Sequence, residues 1–418
     1  MTVNSGQKIY KNFIFSFYIF YAITFVIIFT EALLWLFFRA PDGHKIKFKQ
    51  NLPGLKNEIT YSTNRYNFRS LSMKNEKRGL KTIRIFCIGA STTVQNNQNA
   101  DDTWSRILEC RLNKAFSKEG INIEIAAVGK GGDKVWQGYK FCKYKLPRFD
   151  VDLVITSWGI NDLAWQGGPK YFYEGKKDRI KNIEMQEEAD VKQVINKQRS
   201  FGPKKRLKTA FEKYSQIYRW VGFIREQVTV GKQLKTGAWL DWHSKNLPKI
   251  RKIYNGLPYK EELFREPDPI IEFEDGLQQL ILCLKNQGRE TIILAQPVLW
   301  KNNLSQREKQ VLWFSIGSKD GPVRMSGNWL ENEMKKYNLI QKELAEKNNQ
   351  YYIPLDLFIP KELDYFFDDC HFTDKGSYAM ASAIYPTLLS IVEKTAIKRG
   401  LIEKGVKKTQ SGMPPKKY

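Results

Sequence analysis

Residues 83–93, IRIFCIGASTT, decide the fold of this chain. The first six of them are mostly β-branched or aromatic, which is typical of a strand buried within a sheet. Gly89 follows and permits a tight turn, so that Ser91 lies exposed at the tip of the strand. A Gly-x-Ser tripeptide taken alone is more often an ordinary loop between a strand and a helix. The segment therefore predicts a strand and offers a candidate nucleophile, which needs support from elsewhere in the chain.

Further strands alternate with helices along the chain. The predicted strands span residues 83–88, 121–128, 153–157, 291–296 and 351–355. The predicted helices include residues 103–116, 277–284, 331–347 and 374–394. Such alternation predicts an α/β fold, in which a parallel sheet is covered by helices on both faces.

An apolar and aromatic run occupies residues 13–38 near the N-terminus. At about 1.5 Å per helical residue, the run is long enough to cross a hydrocarbon core of about 30 Å. The apolar part of a cleaved signal peptide is usually shorter, and no A-x-A-like cleavage site follows here. We therefore predict an uncleaved transmembrane helix. Basic residues flank it on both sides and do not fix its orientation.

The remaining chain divides by composition. We predict an N-terminal flank at 1–12, the transmembrane anchor at 13–38, a linker packing on the body at 39–80, the body itself at 81–395 and a basic tail at 396–418. A long basic insertion at 166–265 interrupts the body, and apolar residues at helical spacing over 207–228 predict an amphipathic helix within it. We expect residues 39–80 to be irregular.

The net charge of +24 favours anionic partners without choosing among them. Lipid headgroups, acidic glycans and nucleic acid all qualify, and so does an ordinary solvated basic surface. The basic residues are spread over the anchor flank, the insertion and the tail, and no nucleic-acid motif is present, which argues against nucleic acid. Because of the predicted anchor, we expect membrane lipid as a partner, reached through the anchor and the basic surface.

Cysteine and histidine are scarce. The five cysteines are scattered and form no CxxC pair, and we expect them to be mostly core or free thiols. The chain has three histidines, His44, His243 and His371. An enzyme that needs an imidazole base therefore has few choices, and only His371 stands in a structured context, directly before the last predicted helix.

Three further blocks follow strand ends or precede the last helix. Residues 129–133, GKGGD, follow the second strand, and three glycines there let the backbone approach a ligand closely. Residues 159–162, GIND, follow the third strand, and Asn161 supplies an uncharged donor. Asp368 lies three residues before His371. Each block alone is more often structural, but the carboxyl ends of parallel strands meet at one edge of a sheet, where ligands gather.

Together these blocks resemble the SGNH (GDSL-type) hydrolase family over most of residues 80–395, apart from the insertion. The matching blocks are 89–91 (GAS), 129–133 (GKGGD), 159–162 (GIND) and Asp368-x-x-His371. The resemblance implies a flavodoxin-like three-layer α/β/α sandwich. Two positions depart from the family, because Ala90 stands where Asp is common and no Asn precedes Gly129.

The resemblance also implies site roles. Ser91 is the expected nucleophile, His371 its base, and Asp368 the carboxylate that orients the imidazole, although the adjacent Asp369 competes for that last role. The backbone amides of Ser91 and Gly132 and the side-chain amide of Asn161 form the expected oxyanion hole. No metal or organic cofactor is expected.

These roles predict a membrane-anchored serine esterase, a carboxylic ester hydrolase. By resemblance, its substrates are acyl esters, acetyl above all, with cell-surface polysaccharide as the preferred carrier. We expect the catalytic domain in the periplasm or outside the cell, whereas a cytoplasmic body would point towards lipid or small-molecule esters. An O-acyltransferase that acts on glycans with the same residues is one alternative. A catalytically silent glycan- or lipid-binding membrane protein is another, and the sequence does not decide among them.

Overall fold

A computed structural model describes residues 5–37, 44–164, 217, 242–264, 268–318 and 321–403 of the chain. Except for Ile217, the predicted helix at 207–228 lies outside these residues, as does most of the predicted basic tail. Two compact units are distinguished, one comprising Met1–Asp42 and Pro169–Thr236, the other Gly43–Gly168 and Gly237–Tyr418.

The first unit contains helix α1, Ser5–Phe37. Its segment Phe15–Leu34 has a mean hydropathy of 2.1 and is the one candidate membrane span among the described residues. The Glu31 carboxylate in this helix accepts a hydrogen bond from the backbone amide of Ile217 at 3.1 Å. A helix of this length and composition at the N-terminus fits an anchor, and a signal sequence has the same features.

The second unit is mixed α/β. Its described strands are β1 His44–Lys49, β2 Glu58–Thr63, β3 Thr82–Gly89, β4 Asn122–Gly129, β5 Leu153–Ser157, β6 Tyr259–Lys260, β7 Glu290–Leu294, β8 Ile316–Ser318, β9 Gly321–Met325 and β10 Tyr351–Ile353. Its described helices are α2 Ser91–Val94, α3 Trp104–Ala115, α4 Val135–Tyr144, α5 Ile160–Ala164, α6 Trp242–Gly256, α7 Pro269–Asn286, α8 Gln306–Val311, α9 Gly327–Lys347, α10 Leu355–Phe358 and α11 Asp374–Lys398.

A five-stranded parallel sheet forms the centre of this unit, in the order β10-β7-β5-β3-β4. Every residue of β3 and β5 is buried, as expected for strands covered on both faces. Helix α3 packs with α11, and α7 packs with α4 and α9, so that helices cover both sides of the sheet. The predicted α/β class with a parallel central sheet is confirmed, and all five predicted strands are present.

The outer edge of β4 is protected by the chain that follows β2. Arg69 and Ala127 exchange backbone hydrogen bonds of 2.9 and 3.1 Å in an antiparallel bridge. An uncovered edge strand invites pairing with another chain, and this bridge removes the exposed groups at its centre.

Three features differ from the sequence-based expectation. Strands β1 and β2 pair as an antiparallel hairpin within the segment predicted to be irregular. A small sheet, in the order β6-β9-β8, was not predicted, because its strands are two to five residues long. Cys142 of α4 and Cys283 of α7 form a disulfide, so the expectation of mostly core or free thiols is wrong for this pair. The two cysteines are 141 residues apart in sequence and meet only because α4 packs against α7.

Candidate active site

The predicted site residues converge on one cavity at the carboxyl edge of the sheet. Ser91, Gly132, Asn161 and His371 all line it, and its volume is about 550 Å³. The first three follow β3, β4 and β5, which are neighbours in the sheet and end at the same edge. Asp368 lies behind His371 and is fully buried.

Ser91 is the first residue of the short helix α2, directly after β3. Gly89 at the end of β3 has no room for a side chain, since an added Cβ would collide with Thr93 and approach the carbonyl oxygen of Ser157. The indole nitrogen of Trp104 donates to the Thr92 carbonyl oxygen at 3.1 Å and holds the helix in place. The Ser91 hydroxyl is thereby fixed at the strand tip.

His371 connects Ser91 to a carboxylate. Its Nε2 lies 2.8 Å from the Ser91 Oγ, and its Nδ1 lies 2.8 Å from Asp368 Oδ2 and 3.0 Å from Oδ1. The Phe367 ring stacks on the imidazole at a centroid distance of 5.6 Å. A hydroxyl, an imidazole and a buried carboxylate joined in this order can activate the hydroxyl for attack on a carbonyl carbon.

Asp368 is held by a dense set of donors. Its Oδ1 accepts the backbone amides of Cys370 at 3.0 Å and His371 at 2.9 Å, so the carboxylate builds the turn that carries the imidazole. The indole nitrogen of Trp313 donates to its Oδ2 at 3.0 Å. These bonds stabilise the ionised carboxylate and fix its direction.

The pKa of His371 reflects two opposed effects. Burial disfavours the charged imidazolium, but the charge of Asp368 and the neighbouring Cys370 outweigh burial and raise the pKa of His371 well above 6.5. The imidazole is therefore a stronger base than an ordinary histidine, which suits a group that removes a proton from a hydroxyl.

The glycine loop after β4 lines the cavity with Lys130, Gly131 and Gly132. Gly132 has φ of +84°, a conformation that favours glycine. The backbone amide of Lys130 donates to the Asp133 carboxylate at 2.8 Å and closes the loop. The side-chain amide of Asn161 donates one bond, to the Asp133 carbonyl oxygen at 2.8 Å. An amide group carries two hydrogens, so Asn161 can donate a second bond to a ligand.

Asp162, the last residue of the GIND block, has a structural role. Its carboxylate accepts the backbone amides of Val135 at 3.1 Å and Gly159 at 3.2 Å, which ties the start of α4 to the turn after β5. Burial raises the pKa of Asp162 to about 6, partly offset by these hydrogen bonds. The block thus supplies one candidate donor, Asn161, and one anchor for the loops around it.

Asp369 does not compete for the imidazole. Its carboxylate accepts the indole of Trp300 at 2.8 Å and the backbone amides of Trp313 and Phe314 at 2.8 and 3.2 Å. Burial and the adjacent charge of Asp368 raise the pKa of Asp369 to about 7. Of the two neighbouring carboxylates, the geometry pairs Asp368 with His371.

Trp313 was not predicted as a site residue from the sequence. It lies on the loop between α8 and β8, lines the cavity and bonds Asp368 directly. Trp313, Phe314 and Phe367 make part of the cavity wall aromatic, while Gln95, Asn96, Asn97 and Gln98 contribute amides elsewhere in it. No spacing pattern marks such a loop residue, because its role follows from tertiary packing.

Among the described residues, the side chains of this same turn form a cluster of three that could together bind a metal ion. Asp368, Cys370 and His371 each offer one such atom, and the three atoms lie within 4.8 Å of one another. All three residues are buried, and Cys370 and His371 border the cavity.

Comparison with known proteins gives matches to solved structures alone. No protein-family profile and no curated protein sequence matches the chain. An acetyl xylan esterase is similar at 12% identity and a TM-score of 0.36, over 73% of this chain and 100% of that one. An acetylxylan esterase from Geobacillus stearothermophilus has 12% identity and a TM-score of 0.37, over 79% and 97%. A protein described as a GDSL-like lipase from Parabacteroides merdae has 13% identity and a TM-score of 0.38, over 73% and 96%.

Proposed function

We propose that this chain is a membrane-anchored serine esterase that hydrolyses acyl esters, with acetyl esters of cell-surface polysaccharide as the preferred substrates. One observation carries the proposal, namely the continuous chain of hydrogen bonds from Asp368 through His371 to Ser91, with 2.8 Å at each imidazole nitrogen. The four sequence blocks that resemble SGNH hydrolases support it, because they meet at one cavity.

The mechanism follows from this geometry. The Ser91 hydroxyl gives its proton to Nε2 of His371 as its oxygen attacks the ester carbonyl carbon. Asp368 accepts a hydrogen bond from the Nδ1–H group of His371. This bond fixes the tautomer of the imidazole and stabilises the imidazolium. The imidazolium then gives the proton to the departing alcohol, and water attacks the acyl-enzyme by the same route in reverse order.

The negative oxygen of the tetrahedral intermediate needs donors in the cavity. We assign this role to the backbone amides of Ser91 and Gly132 and to the side-chain amide of Asn161. Losing one such donor typically lowers turnover by about 10²–10³. The aromatic and amide-rich parts of the cavity wall suit a sugar ester, which offers both an apolar ring face and hydroxyl groups.

A periplasmic or extracellular body completes the proposal. Helix α1 supplies the anchor and, with the basic surface, the contact with membrane lipid. The disulfide between Cys142 and Cys283 supports this location, since disulfides persist mainly in oxidising compartments. Polysaccharide substrates would be available there.

The test is hydrolysis of p-nitrophenyl acetate by the detergent-solubilised full-length protein. Ser91→Ala and His371→Ala should each abolish almost all activity, because the nucleophile or its base is lost. Cys110→Ala is the matched control, since Cys110 is an exposed free cysteine outside the cavity wall. Full activity in either of the first two variants would refute the mechanism.

Product analysis on an O-acetylated polysaccharide separates hydrolysis from transfer. Free acetate that accumulates in proportion to lost ester groups supports the esterase. Acetyl groups that appear on an added glycan acceptor, in place of free acetate, would identify an O-acyltransferase that uses the same residues.

A further inference from the structure

Cys370 lies within the Asp368–His371 turn and carries a thiol that the proposed mechanism leaves unused. It is a buried free cysteine with 3% of its surface exposed. Its Sγ lies 3.7 Å from Nδ1 of His371, the imidazole nitrogen that faces Asp368. Cys370 also lines the cavity, so the turn adjoins the space that a small solute would enter.

The three side chains have the spacing of a metal site. The ligand atoms of Asp368, Cys370 and His371 lie within 4.8 Å of one another. Ligands of one tetrahedral Zn²⁺ ion, at about 2.0–2.3 Å from it, are about 3.3–3.6 Å apart. The separations of 3.7 Å (Sγ to Nδ1) and 2.8 Å (Nδ1 to Oδ2) bracket this range, so small side-chain movements suffice.

The chemistry of the donors selects the ion. One thiolate, one imidazole and one carboxylate suit Zn²⁺, a borderline-soft cation, whereas Mg²⁺ and Ca²⁺ prefer sets of oxygen ligands. The three residues are consecutive or nearly so on one tight turn, which the two backbone amides bound to Asp368 hold together. Water from the cavity is available as a fourth ligand.

We propose that Asp368, Cys370 and His371 form an inhibitory zinc site, in which Zn²⁺ entering from the cavity disables the catalytic histidine. The proposal rests on the proposed function for its effect on catalysis, but the site itself does not depend on it. Zinc is here an inhibitor that competes with the working arrangement of the imidazole.

Zinc binding moves one proton within the imidazole and releases another. Zinc forms bonds to Nδ1 of His371, to Sγ of Cys370 and to a carboxylate oxygen of Asp368. The Nδ1–H and S–H bonds break, the imidazole proton moves to Nε2, and the thiol proton leaves to solvent. Nε2 then carries a hydrogen and donates to the Ser91 Oγ instead of accepting from it, so the serine is no longer activated. No electron is transferred.

The kinetic test titrates buffered free Zn²⁺ against p-nitrophenyl acetate hydrolysis by the full-length protein in detergent. We expect inhibition that EDTA reverses and that Mg²⁺ and Ca²⁺ do not cause. In Cys370→Ala, with activity expressed relative to its own metal-free rate, the half-inhibiting Zn²⁺ concentration should increase about tenfold or more because a thiolate ligand is lost. Cys110→Ala should retain the wild-type value. Equal inhibition of wild type and Cys370→Ala, or no inhibition up to the solubility limit of zinc, would overturn the proposal.

A binding measurement separates this proposal from the proposed function. Co²⁺ added to the wild-type protein should give a thiolate-to-cobalt absorption band, and the band should be absent in Cys370→Ala and present in Cys110→Ala. A band without any ester hydrolysis would retain the metal site and reject the esterase. Hydrolysis without a band and without zinc inhibition would reject the metal site and retain the esterase.

Discussion

At the scale of single residues, the adjacent carboxylates of Asp368 and Asp369 have different roles because they accept hydrogen bonds from different donors. Asp368 faces the imidazole and the Trp313 indole, whereas Asp369 binds the backbone of the loop that carries Trp313. Asp369 therefore holds the loop, and the loop in turn holds Asp368. In the sequence, Asp368 was favoured over Asp369 through the three-residue spacing of the block that resembles the SGNH family. In the structure, the direction of each side chain pairs Asp368 with His371.

The pH dependence of activity should reveal the raised pKa of His371. The base must be neutral, so activity is present above the pKa of the folded enzyme and is lost as pH falls through it. Since Asp368 and Cys370 together outweigh burial and raise the pKa of His371, the acidic limb of kcat/KM should lie above pH 6.5. The measurement is acetate release from a small ester at pH values on both sides of neutrality. A limb at or below 6.5 would contradict this reading of the electrostatics.

Trp313→Phe should lower kcat by about tenfold while the KM of a small ester changes less. Phenylalanine keeps most of the apolar wall but cannot donate to Asp368, and a hydrogen bond to a charged group contributes about 1.5–3 kcal/mol. Steady-state kinetics on p-nitrophenyl acetate give both parameters. Trp329→Phe, at a half-buried tryptophan outside the cavity wall, controls for the general effect of the substitution. An unchanged kcat would show that the indole is only part of the wall.

At the scale of elements, the site depends on how closely two strand ends approach. Gly129 ends β4 with φ of +151°, and an added Cβ would collide with the carbonyl oxygen of Gly89 at the end of β3. That oxygen belongs to the backbone and cannot rotate away. The pair of glycines therefore sets the distance between Ser91 and the loop that carries Gly132.

Gly129→Ala should destabilise the protein by about 1–3 kcal/mol, since overpacking forces the two strand ends apart. Ester hydrolysis should fall as well, because Ser91 and Gly132 follow the displaced ends. The thermal unfolding midpoint and kcat/KM of the detergent-solubilised protein measure both effects. Gly256→Ala is the matched control, because an added Cβ there meets no atom within 4 Å. Wild-type stability and activity in Gly129→Ala would contradict the argument.

The elements themselves were largely predictable from the sequence. All five strands of the central sheet were predicted, because fully buried strands give continuous apolar runs. The β1–β2 hairpin was missed, since Lys45, Lys47 and Lys49 alternate with its apolar residues and give a polar composition. The very short strands β6 and β8 leave too few residues for any periodicity. The order of the strands in the sheet could not be predicted from the sequence either, because it is set by contacts between distant segments.

At the scale of the whole molecule, the candidate site joins parts of the chain that lie 280 residues apart, from Ser91 to His371. The sequence identified both ends through short motifs that follow strands or precede a helix. It did not identify the loop between α8 and β8 that braces them. Motif residues can be predicted from the sequence because their chemistry restricts the residue type. A supporting residue such as Trp313 cannot, because its role depends on what packs around it.

The disulfide between Cys142 and Cys283 also connects two halves of the central sheet across the predicted basic insertion. Strands β3 and β4 and the candidate nucleophile Ser91 precede Cys142, whereas Asp368 and His371 follow Cys283. A protease that cuts once anywhere between these cysteines would therefore produce two polypeptides that stay covalently linked. The nicked protein would keep both Ser91 and His371 in a single particle, and only a reductant would allow them to part.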